Sequence, residues 1–161
     1  LVTYALQLID SGMALENIIA ALEASKKQIC TLGLLDTLEY LQKGGRISKT
    51  TAFVGGVLSI KPIVAISDGE VIMLGKVRGA RNGNHFLSQE IDKVGGIDFN
   101  KPFCLGYTGL EDSSLKKYIQ DNEALWHDYH DELPMCSVGA TIGTHVGPNA
   151  IAIAFFIMTK S

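Results

Sequence analysis

Two glycine-bearing polar stretches hold the residues best suited to chemistry. One is Lys43-Gly44-Gly45-Arg46-Ile47-Ser48. The other is Gly143-Thr144-His145-Val146-Gly147-Pro148-Asn149-Ala150, which leads into an apolar run over 151–158. Glycine carries no Cβ, so backbone N–H groups in such loops can approach an anion. Each stretch adds a residue suited to a negative group. Arg46 offers a guanidinium fork that matches carboxylate or phosphate. His145 offers an imidazole donor, and Thr144 adds a hydroxyl beside it. Each also has a plainer reading. Arg46 can cap the C-terminal carbonyls of a helix over 37–43, and His145 can be a surface turn residue between two strands. Residue chemistry alone leaves both pairs of readings open.

Other clusters carry weaker signals. Lys76-Val77-Arg78-Gly79-Ala80-Arg81 is a basic group at a strand end and a helix start. It suits an acidic partner or a phosphate, although a solvated charge run is the commoner meaning. His127 and His130 are three residues apart, which a helix places on one face. No further ligand pair lies near them, so an exposed helix end is expected there and no metal site. Cys30, Cys104 and Cys136 are widely spaced in strand-like stretches and are expected to be buried free thiols of a cytoplasmic protein. Phosphate-loop, dinucleotide and nucleophile-elbow patterns are absent, so no cofactor is expected.

The elements that must position these residues follow from periodicity. Helices are expected over 2–11, closed by Gly12, and over 15–27, where Ile18, Ile19, Ala21 and Leu22 make an apolar stripe. A strand over 28–36 leads to a short helix over 37–43, stopped by Gly44-Gly45. A helix over 49–59 is expected after Ser48, with Gly55-Gly56 inside it marking a close approach of another helix or a ligand. Strands over 61–67 and 71–77 flank Asp68-Gly69, a strong hairpin turn. A helix over 80–94, a strand over 102–108, a helix over 112–127 and strands over 135–141 and 150–158 complete the chain. Six strands with about six helices and no internal repeat imply one α+β domain with a mixed sheet.

The 161 residues can bury a real core, with 47% apolar residues and only 19% charged ones. That charge content is below the roughly 25% of an average domain, which leaves room for a covered surface. The net charge of −3 argues against general nucleic-acid binding. The run 150–158 is too short to cross a bilayer as a helix. The sequence opens inside a helix-like pattern without an initiator methionine, so a further segment upstream is expected.

The motifs resemble a known family. Leu38-Glu39-Tyr40-Leu41-Gln42-Lys43-Gly44-Gly45-Arg46-Ile47-Ser48, then Leu58-Ser59-Ile60-Lys61-Pro62-Ile63, Asp68-Gly69, Lys76-Val77-Arg78 and Gly143-Thr144-His145-Val146-Gly147-Pro148 occur in the order found in the DegV family of bacterial fatty-acid-binding proteins. The resemblance implies a two-layer α+β domain with a mixed six-stranded sheet over 1–161. It implies that 1–161 corresponds to the C-terminal lipid-binding domain, with 1–27 as leading helices, and that an N-terminal α/β domain is expected upstream. It implies that a long-chain fatty acid is bound and its carboxylate presented to a separate kinase, this protein being a carrier and not an enzyme. Arg46, His145 and Thr144 would then lie at the lipid head group. Phe53, Val57 and Leu58 would line the acyl tail, and Arg78 with Lys76 would dock the kinase. Asn149 departs from the pattern, since many relatives carry glycine after the proline, but asparagine tolerates unusual backbone angles. Two rival readings are a small-anion hydrolase or phosphotransferase built on Arg46 and His145, and a pure interaction module that only pairs with its other half or a second copy.

Overall fold

The computed structural model describes residues 1–47, 59–129 and 133–158. Two helices lead, α1 (Val2–Asp10) and α2 (Leu15–Ser25), followed by β1 (Ile29–Leu34) and the short α3 (Glu39–Lys43). The hairpin β2 (Ile60–Ser67) and β3 (Glu70–Arg78) precedes α4 (Ala80–Lys93). Then come β4 (Cys104–Tyr107), α5 (Ser113–Asp121), α6 (Glu123–Trp126), β5 (Met135–Ser137), α7 (Ala140–Val146) and β6 (Ile151–Phe156). The six strands form one sheet in the order β3-β2-β1-β6-β4-β5. Among the described residues only β4 and β5 run parallel, so the sheet is mixed as expected.

Alternation along the strands sorts the core. Leu32 and Leu34 of β1, Ile63 of β2 and Ile151, Ile153 and Phe155 of β6 face one side. There they meet Leu87 and Ile91 of α4, Leu115 and Tyr118 of α5 and Trp126 of α6. Each fully buried aliphatic side chain of this layer contributes about 1.5–3 kcal/mol relative to exposure. A smaller cluster on the other side joins Leu35, Leu38, Leu41, Val64 and Ala150, with Ile47 and Val146 packed against it. Between these elements the second face carries small residues: Gly33 of β1 is in register with Ala152 of β6, which is in register with Gly106 of β4. Tyr4 of α1 reaches this face and sits edge-on to Phe156, with ring centroids 5.2 Å apart.

The hairpin turn is as expected: Asp68 and Gly69 have φ of 50° and 83°, the positive pair that a tight two-residue turn needs. Three expectations need correction. The stretch with His145 is helix α7, not a loop between strands, and the strand before it ends at Ser137 rather than 141. Gly139 starts this helix and Gly147-Pro148 stops it, so glycine and proline punctuate a helix that has too few apolar residues to announce itself. The helix over 112–127 is broken at Asn122, whose φ of −128° lies outside the helical range. Its side chain instead donates to the Tyr118 carbonyl at 2.9 Å. The cysteines are free, but Cys136 is exposed and Cys30 and Cys104 are only half-buried. Residues 49–58 of the helix expected over 49–59, with its Gly55-Gly56 pair and Phe53, Val57 and Leu58, lie outside the described residues, and Ser59 has a non-helical φ of 77°.

Candidate functional site

One end of the sheet gathers the candidate residues. Register puts the end of β1 (Leu34) opposite Ile63 of β2 and Ile151 of β6, and the start of β2 (Ile60) opposite Arg78 of β3. Tyr107, at the end of β4, faces Ile151. Both polar stretches therefore emerge at this end, as does Arg78.

The first stretch is built by a helix-stop motif. The N–H of Arg46 donates to the Leu41 carbonyl at 2.9 Å and that of Gly45 to the Gln42 carbonyl at 3.1 Å. This double bond pattern requires a left-handed residue, and Gly45 has φ of 70°. Ile47 packs in the same apolar cluster as Leu41, which pins the turn to the sheet. Arg46 is exposed, and its Nη1 donates to the Gly44 carbonyl at 2.8 Å. The capping reading thus describes its contact in this structure, and the bond spans only two residues.

The second stretch ends α7. Thr108, buried just beyond β4, holds it: its hydroxyl donates to the Gly147 carbonyl at 2.6 Å and accepts from the Ala150 N–H at 2.9 Å. Asn149 has φ of 59° and donates its N–H to the Thr108 carbonyl at 3.0 Å, so the unusual backbone angle expected there is present. Thr144 is exposed, and its hydroxyl donates back to the Thr141 carbonyl at 3.0 Å. Sequence reasoning passed over Thr108. The signal available was a hydroxyl followed by Gly109 at the end of an apolar strand.

The two stretches interlock. The imidazole of His145 lies so close to Gly44 that a Cβ there would come within 3.0 Å of its Cε1 and closer still to its Nδ1. In return, the ring of Tyr40, on α3, covers Gly147: a Cβ there would be 2.6 Å from Cε2. Each glycine thus seats an aromatic ring from the other stretch. The His145 Nδ1 atom is buried, with no hydrogen-bond partner among the described residues. A buried polar atom without a partner is uncommon and marks a site where a donor or acceptor is expected.

A cleft of about 230 Å³ opens beside the second turn at Asn149, lined also by Leu34, Asp36, Lys61, Asn84 and Lys117, among others, but not by Arg46, Thr144 or His145. Its charges are largely matched. Lys61 pairs with Asp36, and Lys117 with Asp121 at 2.7 Å. Asn84, buried on α4, donates to the other Asp121 oxygen at 2.7 Å. Lys117, assisted by Asn84, holds the Asp121 carboxyl below the usual carboxylate range.

Arg78 is exposed at the end of β3, two strands away from β1. Lys76 is half-buried and in register with Pro62. His127 lies beside Asp128 at 3.0 Å, and His130 is outside the described residues. Among the described residues no group of three side chains could hold a metal ion. No helix among them is long and apolar enough to cross a membrane.

The mixed sheet, the helical layer on one face and the paired glycine-ended turns at one sheet end define an α+β domain with a polar rim. The chain belongs to the DegV family: the family model described as "Uncharacterised protein, DegV family" matches residues 1–158. A DegV domain-containing protein of Caldanaerobacter subterraneus is 31% identical over 160 residues, covering 96% of this chain and 54% of that protein. Protein DegV of Bacillus subtilis is 29% identical over 152 residues, covering 94% and 53%. The chain thus spans about half the length of these relatives. Two solved structures share the fold. A DegV family protein of Eubacterium eligens, loaded with heptadecanoic acid, has a TM-score of 0.80 at 22% identity and is covered to 55%, against 98% of this chain. The Streptococcus pneumoniae Fatty Acid Kinase (Fak) B3 protein, loaded with linoleic acid, has a TM-score of 0.83 at 20% identity, with 98% of this chain and 54% of that one covered.

Proposed function

We propose that this chain is part of a fatty-acid carrier, that it contributes Arg46 and His145 to a lipid head-group site completed by an N-terminal domain, and that the carrier presents the carboxylate to a separate kinase. The observation that carries the reading is the interlock of the two turns, which brings the buried, unpartnered Nδ1 of His145 against the backbone just before Arg46. Family membership supports it, since solved relatives are loaded with heptadecanoic or linoleic acid.

The physical division of labour is simple. Each buried CH₂ contributes about 0.8 kcal/mol, so a long tail supplies on the order of 10 kcal/mol before entropy is deducted. A buried carboxylate costs several kcal/mol unless it is paired and hydrogen-bonded. The tail therefore supplies affinity, and Arg46 and His145 keep the head group from cancelling it. Arg46 swings from its short-range bond to Gly44 onto the carboxylate, a charge-assisted bond that is stronger than the neutral one it gives up. Thr144 contributes only by releasing Thr141. The acyl tail lies along the second face of the sheet, over the in-register row Gly33, Ala152 and Gly106, beside the Val64 and Val138 side chains that cover the two glycines. Phe53, Val57 and Leu58, outside the described residues, are the further lining that the family resemblance implies. Arg78 and Lys76, at the same sheet end but displaced from the turns, dock the kinase. The phosphoryl chemistry belongs to that partner, because nucleotide-binding motifs are absent from this sequence.

The test is mass spectrometry of lipid extracted from the natively purified full-length protein. One long-chain fatty acid per molecule is expected. Repeated preparations that contain none would overturn the reading.

A further inference from the structure

Cys104 and Cys136 stand on adjacent strands, with their Sγ atoms 3.4 Å apart. In the parallel β4–β5 ladder Gly106 is in register with Cys136, so Cys104, two residues back, emerges on the same face of the sheet. Cys136 is exposed and Cys104 half-buried. All three residues of β5 are exposed, and the strand is the edge of the sheet, bonded on one side only. Drawing two sulfurs from 3.4 Å to a bond length of about 2.05 Å needs a shift of roughly 1.4 Å. A three-residue edge strand resists that less than an inner strand does, because no second ladder has to move with it.

We propose that Cys104 and Cys136 form a reversible dithiol–disulfide site, oxidised by a hydroperoxide and restored by a small dithiol. Cys136 is the sulfur that oxidant reaches first. Burial, and next the hydrogen bond to Cys136, push the Cys104 thiol up to about 11, which keeps it protonated. The Cys136 thiol gives its proton to solvent, its sulfur attacks the peroxide, the O–O bond breaks and a sulfenic acid forms, while the departing hydroxide or alkoxide takes a proton from solvent and leaves as water or alcohol. Cys104 sulfur then attacks the Cys136 sulfur. The S–O bond breaks, hydroxide leaves, and the Cys104 proton converts it to water. Two thiols and one peroxide thus give one disulfide, with two electrons passed to the peroxide. Only Ser137, Val138 and Gly139 separate Cys136 from α7, so the bond also fixes the root of the helix that carries His145.

The experiment uses the full-length protein, reduced, then treated with one equivalent of hydrogen peroxide, alkylated and mapped by mass spectrometry. The expected result is paired loss of the Cys104 and Cys136 thiols, a peptide linking them within one molecule, a mass lower by two hydrogens and recovery with dithiothreitol. Cys30, half-buried on β1, stays open to alkylation after unfolding and serves as the internal control. Full alkylation of both Cys104 and Cys136 after treatment would overturn the proposal, as would a linkage only between molecules. Hydrogen exchange provides a second reading: β5 amides should slow at least tenfold on oxidation. Unchanged exchange in protein carrying the disulfide would refute the fixing of the strand. Cys104→Ser and Cys136→Ser should each abolish the linked peptide, and its persistence in either would assign the bond elsewhere.

Discussion

The imidazole of His145 rests directly on the backbone of Gly44, a hundred residues earlier in the chain, at a distance that excludes any side chain there. Tyr40 rests in the same way on Gly147. The two turns are therefore one structural unit, and their glycines are needed for reasons that can be separated by substitution.

Gly44→Ala keeps an ordinary backbone, with φ of −76°, and adds a clash with His145 and a tight 3.2 Å approach to the Tyr40 carbonyl oxygen. A loss of about 1–3 kcal/mol is expected from overpacking. Gly147→Ala adds a Tyr40 clash to a backbone at φ 78°, ψ 178°, a region nearly restricted to glycine. A larger loss, about 2–4 kcal/mol, is expected. In a His145→Ala background the cost of Gly44→Ala should fall by about 1 kcal/mol or more, to what the Tyr40 carbonyl contact alone imposes, since distant sites add and touching ones do not. Urea denaturation of the four combinations checks this. Full additivity would show that the ring contact carries no energy.

Arg46→Ala should leave stability within about 0.5 kcal/mol, because the side chain is exposed and its one bond is short-range. It should weaken fatty-acid binding about tenfold or more, the worth of one charge-assisted hydrogen bond. His145→Ala should weaken binding by a similar factor. Calorimetric titration of delipidated full-length protein with oleate measures both. Wild-type affinity in the double variant would remove these two residues from the head-group site.

Arg78→Ala should weaken docking of the kinase and leave the bound lipid unchanged. The arginine is exposed and lies two strands from β1, too far along the sheet end to share the carboxylate with Arg46. Calorimetry of the two proteins, with lipid quantified in parallel, gives the answer. Equal kinase affinity for variant and wild type would refute the docking role.

Tyr118 sets a stability limit at high pH. Burial holds its phenol well above the ordinary value of 10.0 in the folded state, with Ser88 as a hydrogen-bond partner at 3.2 Å. The folded chain therefore keeps the proton while the unfolded chain loses it. Stability is unaffected below about pH 10 and falls above it, with a slope approaching 1.4 kcal/mol per pH unit. Tyr118→Phe should remove that part of the slope. Denaturation midpoints between pH 9 and 11 test this, and parallel curves for the two proteins would contradict it.

Local signals made much of the fold legible. The Asp68-Gly69 turn, the Gly45 helix stop and the alternating strands act through contacts a few residues apart, so residue type and spacing determine them. The same reasoning failed at α7. There Ala140–Val146 buries no side chain completely, so no apolar stripe announced a helix. The break at Asn122 was also hidden, because it depends on how one side chain meets a carbonyl of the preceding turn.

The sequence by itself determined most of the elements, though not α7 or the break at Asn122, together with the family and the two glycine-bearing stretches that carry Arg46 and His145. Only the tertiary structure decided that these turns interlock, that Thr108 ties one of them to β4, and that Cys104 meets Cys136. The physical reason is range. Backbone propensity and periodicity act over a few residues, whereas these contacts join residues 32 to 107 positions apart (Cys104 with Cys136, Tyr40 with Gly147), brought together only when β1, β4, β5 and β6 lie side by side.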